Sequence, residues 1–291
     1  MHVRQYRASL LAAATVAALA VSLAIAGPAG ASVQAHHGHP AGGGRRIAAS
    51  PPPGVLTPSI AGATAAYSTN WSGYAQAVSS STGPYRAVMS TWKVPKVTEP
   101  KTGDQYSADW VGVDGFSNSS LVQCGTEADN IGGTPVYDAW TEILPASEVV
   151  ISGLTIHPGD TITAYVKEIS ANRWKMNVTD VTTGASGGRT VSYTTPMASA
   201  EVVHERPEVG GSLVNLAKTG NVTQNPAFYS TTINTTPTIP LMNAASGAAV
   251  YQMFMVNNAD TAIIASPSKP DSDNDGFTVA DSATSPPPPS S

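Results

Sequence analysis

The chain predicts an all-β domain, an antiparallel sandwich of short strands, on three observations. Segments rich in Val, Thr, Tyr, Trp and Ile recur at short intervals, broken by turn-forming residues. Strict in–out alternation is plain in TITAYVKEI (161–169) and WKMNVTDV (174–181). No long stretch keeps the 3.6-residue period of an amphipathic helix, and many strands joined by tight turns fold as a sandwich or barrel.

Taken in order, the chain opens on a leader. Arg4 and Arg7 precede an uncharged Leu/Ala/Val run, and small residues at Ala29-Gly30-Ala31 and Val33-Gln34-Ala35 offer cleavage sites. Residues 1–35 thus have the layout of a secretory signal peptide, and a secreted, extracellular protein with no membrane attachment after its removal is expected. A membrane anchor is the alternative, but the run is Ala-rich and barely long enough. The leader's Ala/Gly/Pro composition suggests a high-GC bacterium. Residues 36–67, with GGGRR and PPP, are too poor in apolar surface to offset their ordering entropy, and read as a pro-segment or flexible linker.

The domain is expected over 68–280. Its strand candidates run through YRAVMSTWKVP (85–95), ADWVGVD (108–114), VYDAWTEIL (136–144), TITAYVKEI, RWKMNVTDVTTG (173–184), RTVSYTTP (189–196), AEVVHERP (200–207), VYQMFMV (250–256) and GFTVA (276–280). The tail 281–291, SATSPPPPSS after Asp281, reads as disordered.

Charge narrows the function. Residues 1–67 hold four Arg and no acid, which leaves 11 basic against 20 acidic residues beyond them, a formal charge of −9. Nucleic acid and anionic membrane, which need basic patches, are disfavoured as partners. Charged residues make up only 12% of the chain, so its surface depends little on ion pairs that acid would break, which hints at an acidic working environment. A single Cys excludes an internal disulfide framework.

Familiar catalytic constellations fail on local context. GASGG (184–188) fits G-x-S-x-G formally, but VTDVTT and RTVSYT make it a hairpin turn rather than a strand-to-helix elbow. HERPE (204–208) lacks the second His of a zinc motif, and DSDNDG (271–276) begins like a calcium loop but has Ser282 at its twelfth position. No metal or cofactor is expected. Cys124 as nucleophile would need a base, with His204 a candidate; a small apolar residue packed in a strand is the commoner fate of a lone Cys.

What remains is polar groups inside apolar strands. Gln123 interrupts LVQCG, and Glu205 ends AEVVHE, where Glu201, Val203 and Glu205 share one strand face. A carboxylate there is costly unless paired, hydrated or functional. Trp110 with Asp114, and Asp138 with Trp140 and Glu142, make similar aromatic–acid groupings, a pattern also typical of carbohydrate-binding faces.

The ordered series STNWSGY (68–74), WKVP (92–95), WVGVDG (110–115), LVQCG (121–125), YDAWTEILP (137–145), PGD (158–160) and AEVVHERP (200–207) closely resembles the glutamic peptidases, the eqolisin or G1 family, over residues 68–230. The resemblance implies two antiparallel sheets packed as a curved, concanavalin- or lectin-like sandwich. It also implies an acid endopeptidase acting on protein or peptide substrates without a cofactor, insensitive to pepstatin-type inhibition. The family's catalytic Gln falls on Gln123 and its catalytic Glu on Glu205. Cleft and support positions fall on Trp110, Asp114, Asp138, Trp140, Glu142 and Trp71. Val202 and Ile143-Leu144 depart from the family's aromatic residues, and Cys124 stands where Thr is common. A monomer is expected. The rival reading is a non-catalytic sugar-binding or extracellular interaction module on the same sandwich.

Overall fold

The structure, a computed structural model, describes residues 62–80, 82–98 and 103–291, together with the backbone of Ile47–Ala48. The leader at 1–35 and most of the 36–67 segment lie outside the described residues. The described residues contain no helix, and their ladders are mostly antiparallel.

Fourteen longer strands carry the architecture: β1 (Thr64–Ser68), β2 (Trp71–Val78), β3 (Ala87–Lys93), β4 (Ala108–Val113), β5 (Val122–Ile131), β6 (Thr134–Ile143), β7 (Thr161–Ser170), β8 (Arg173–Asp180), β9 (Ser186–Ser192), β10 (Ser199–Glu205), β11 (Asn221–Ser230), β12 (Ala248–Val256), β13 (Ile263–Pro267) and β14 (Phe277–Ala280). One run of neighbours reads β1-β12-β2-β10-β4-β5-β6, with β1 parallel to β12 and the rest antiparallel. The other reads β9-β8-β7-β3-β11-β14-β13, antiparallel throughout. Strand β13 also pairs with β12 and so joins the two runs.

Alternation decides which side chains meet. Val111 and Val113 of β4, Val202 of β10 and Cys124 of β5 bury with Trp92, Val166, Trp174 and Met176 of the second run in one large core. The odd-even partners of these residues turn the other way and form a second cluster: Trp71, Ala75, Ala108, Trp110, Leu121, Trp140, Val203 and Met253. The period of two along each strand is thus what separates the core from the candidate site.

Strand β1 pairs along its whole length with β12, so the ordered domain starts before residue 68. At the other end, Asp281 binds His204 and the Thr219–Gly220 backbone, Ser290 O accepts from Asn225, and Ser291 Oγ meets Ser272 Oγ at 2.6 Å. Asp281 thereby completes an ion network around the buried His204. Strands β11 and β13 also escape the sequence reading. In β11, Pro226 lies in a register shift between Gln224 and Ala227, a place where a ladder tolerates Pro. The GASGG segment is a hairpin, as its flanks suggest, with Ser186 already paired to Thr179.

Candidate active site

Five adjacent strands, β2-β10-β4-β5-β6, build one face. The register sets Ala75, Glu201, Gly112, Gln123 and Glu142 on one level across them. Two residues along, the level is Gly73, Val203, Trp110, Gly125 and Trp140; two further, it is Trp71, Glu205, Ala108, Glu127 and Asp138. Every predicted site residue except Asp114, which directly follows β4, therefore points to the same side.

Glycines make room for the tryptophans. A β-carbon on Gly125 would stand 2.2 Å from Asp109 O and 2.5 Å from Trp110 Cβ, so any other residue there collides with β4. Gly112 would carry one 2.8 Å from Trp110 Cζ3. The indole thus lies over Gly112, beside Gln123 in the register, while its Nε1 donates to Glu205 Oε2 at 2.6 Å. Gln123 and Glu205 sit on strands separated by β4 and offset by four residues, and no hydrogen bond joins them. They flank the same indole ring. Trp71 meets Trp110 edge-on, with centroids 4.9 Å apart and planes at 75°.

Each polar group has a distinct setting. Asn70 Nδ2 donates to Glu205 Oε1 at 2.8 Å, so an amide and an indole N–H each hold one carboxyl oxygen in place. Gln123 Nε2 donates to Glu142 Oε2 at 2.6 Å, while its Oε1 is buried without a partner. Glu201 is fully buried, and burial pushes its pKa well above the usual carboxylate value, with the charge of Asp114 adding to the rise against opposing hydrogen bonds. It stays protonated where surface carboxyls are ionised. Asp138 is half-buried on the level of Glu205.

Asp114 plays a different part from the others. At φ +70° it turns the chain out of β4 and accepts from Thr195 Oγ1, Met197 N (2.6 Å), Ala198 N (2.8 Å) and Asn118 Nδ2 (2.8 Å). It anchors the segment that leads into β10, the strand carrying Glu205.

Cys124 faces the other way. Its Sγ donates to Tyr165 O at 3.3 Å and lies 3.7 Å from Asn177 O, and burial pushes the thiol pKa up to about 12. A buried neutral thiol is no nucleophile. His204 also points away from the site: Nδ1 meets Asp109 Oδ1 at 3.0 Å and Nε2 meets Asp281 Oδ1 at 3.2 Å. Burial opposes its charge, but the two carboxylates outweigh that and hold its pKa at about 10.

Among the described residues, one acidic group brings carboxylate oxygens within 4.8 Å of one another: Asp271, Asp273 and Asp275. Asp271 Oδ1 accepts from Asp275 N and Gly276 N, which is a polar turn before β14. Sequence reasoning missed Asn70, Glu127 and the buried character of Glu201. The shared face of Glu201 and Glu205 was readable by parity, whereas the contact from Asn70 spans 135 residues and needed the fold.

Comparison places this fold among known proteins. The model of the "Peptidase A4 family" matches residues 69–274. The fold is similar to scytalido-glutamic peptidase bound to a transition-state analogue inhibitor: TM-score 0.58, 20% identity, over 73% of this chain and 98% of that one. SCP-B, a member of the eqolisin family in complex with the tripeptide Ala-Ile-His, gives TM-score 0.55 and 19% identity over 73% and 98%. Aspergilloglutamic peptidase from Aspergillus niger gives TM-score 0.50 and 26% identity over 60% and 98%. No individually curated protein matches the sequence. The family model spans most of the chain, and the chain belongs to the peptidase A4 family, the glutamic peptidases, which hydrolyse peptide bonds.

Proposed function

We propose that the protein is a secreted acid endopeptidase of concanavalin-like two-sheet fold, acting through Gln123 and Glu205 on peptide or protein substrates. The observation that carries this reading is the pair of polar side chains buried on one sheet face, with Trp110 on the strand and at the level between them and bonded to Glu205.

Peptide hydrolysis needs an activated water, a stabilised oxyanion and a protonated leaving amine. Glu205, ionised and held by Asn70 and Trp110, takes a proton from water and returns it to the amide nitrogen. An amide nitrogen carries two hydrogens. Glu142 fixes one of those on Gln123, which leaves the second to donate to the oxyanion and the unpartnered Oε1 to hold the water. Such a donor is worth roughly 100- to 1000-fold in rate. Acid favours the reaction because Glu205 must be ionised while neighbouring carboxyls stay protonated, and Glu201 is already biased that way.

Digestion of casein at acidic pH, with and without a metal chelator, tests the reading. Chelator-resistant cleavage is expected; no cleavage, or cleavage abolished by the chelator, contradicts it. Mass spectrometry of the N-terminus of protein recovered from the medium tests secretion, with a new terminus near residues 32–36 expected.

A further inference from the structure

The residue after Glu205 is a cation that the proposed hydrolysis does not use. Arg206 is only 5% exposed. Its Nη2 donates to Thr69 O, to Asn258 Oδ1 at 2.8 Å and, at the 3.5 Å limit, to Val256 O. Its Nε is buried with no partner, and Nη1 donates to nothing among the described residues. Three of the five guanidinium N–H groups are therefore unspent. No carboxylate is among its partners. A buried cation without a counter-ion is costly, and an anion brought from outside resolves that cost.

A cavity of about 480 Å³ opens beside this guanidinium. Its polar lining includes Lys218, Asn257 and Gln105, whose Oε1 is likewise buried and unpartnered. The acid in its wall, Asp281, is already compensated: Oδ1 faces His204, and Oδ2 accepts from Thr219 N, Thr219 Oγ1 and Gly220 N at 2.7–3.0 Å. His204 is shared with Asp109, but Arg206 and Lys218 together outnumber Asp281, so the lining carries a net positive charge on a domain that is otherwise strongly acidic. Leu216, Ile263 and Ile264 give it an apolar wall. A guanidinium and an apolar wall lining one cavity match a carboxylate attached to a short hydrocarbon body.

We propose that this cavity at the end of β10 binds a small organic carboxylate, with Arg206 as the ion-pairing group and Lys218 at its rim. The chemistry is shared by free short-chain acids and by the C-terminus of a short peptide. The assignment stands on Arg206 and its cavity and does not depend on the peptidase reading.

The test is calorimetric titration of the full protein at pH 6, where such carboxylates are ionised. The probes are N-acetyl-Leu-Ala, its C-terminal amide, isovalerate and sulfate. One-to-one binding is expected for the free dipeptide acid, at least tenfold tighter than for its amide. Isovalerate binding as tightly as the dipeptide assigns the site to free acids; dipeptide binding tenfold tighter than isovalerate assigns it to peptide C-termini. Arg206→Met should erase the preference for acid over amide, and Lys218→Glu, a change at an exposed position, should weaken acid binding several-fold. If Arg206→Met does not fold, Lys218→Glu decides. Equal binding of acid and amide, binding of sulfate alone, or an unchanged acid preference in the folded variants overturns the proposal.

Discussion

Replacing His204 by Gln removes the cation from a sealed Asp–His–Asp network behind the candidate site. Asp109 and Asp281 take its two ring nitrogens, and Gln224 Nε2 adds a 3.3 Å bond to Asp109. The folded-state pKa of about 10 lies above the unfolded value of 6.5. A pKa raised by folding contributes stability that is fully present below about pH 6.5 and is lost as pH rises through about 10. The shift from 6.5 to about 10 corresponds to about 5 kcal/mol, and between those limits the slope is about −1.4 kcal/mol per pH unit. Urea unfolding of wild type and His204→Gln at pH 6.5, 7.5, 8.5 and 9.5 measures it. The advantage of wild type should be several kcal/mol at pH 6.5, since the variant buries two carboxylates without their cation, and should shrink steadily toward pH 9.5. Parallel pH dependences for the two proteins, or an imidazole NMR signal that titrates near pH 6.5, would refute the reasoning.

Other perturbations separate structural from chemical roles. Cys124→Ser should retain peptidase activity, and the wild-type thiol should resist alkylation at pH 7 until the protein unfolds; measured labelling of the folded state would contradict its burial. Asp114→Ala strips the acceptor from four donors and should cost roughly 2–4 kcal/mol, read as a lowered urea midpoint. Glu201→Gln should match wild type in stability at acidic pH. Because folding raises the pKa of Glu201, wild type binds the extra proton when folded and loses stability as pH rises above the ordinary carboxylate range. The Gln variant should therefore become the more stable of the two toward neutral pH, and a constant difference would argue that Glu201 ionises freely.

How much of this was legible in the sequence depends on the range of the interaction. β-rich composition between turn signals, with plain alternation in two segments, gave the all-β class and the strands that carry Glu205, Trp110 and Trp140, because strand propensity and side-chain facing are local properties. Parity likewise put Glu201 on the face of Glu205 and His204 on the other. Contacts set by strand order stayed hidden. The bond from Asn70 to Glu205, the shared indole between Gln123 and Glu205, and the seat of Asp281 on His204 all join distant segments. At the ends of the domain, β1 and Asp281 are held by partners far away in sequence, β12 and His204, which composition does not reveal. The Asp114 turn is visible as a motif, but its anchoring of residues 195–198 is not.

The central claim is that Gln123 and Glu205, not Cys124, carry peptide hydrolysis. Initial rates of casein cleavage at acidic pH, measured for wild type, Gln123→Ala, Glu205→Gln and Cys124→Ser after each is shown to be folded by circular dichroism, test it directly. The account predicts a loss of about 100-fold or more for each of the first two variants and wild-type-like rates for the third. An active Glu205→Gln or Gln123→Ala protein, or an inactive but folded Cys124→Ser protein, would contradict it.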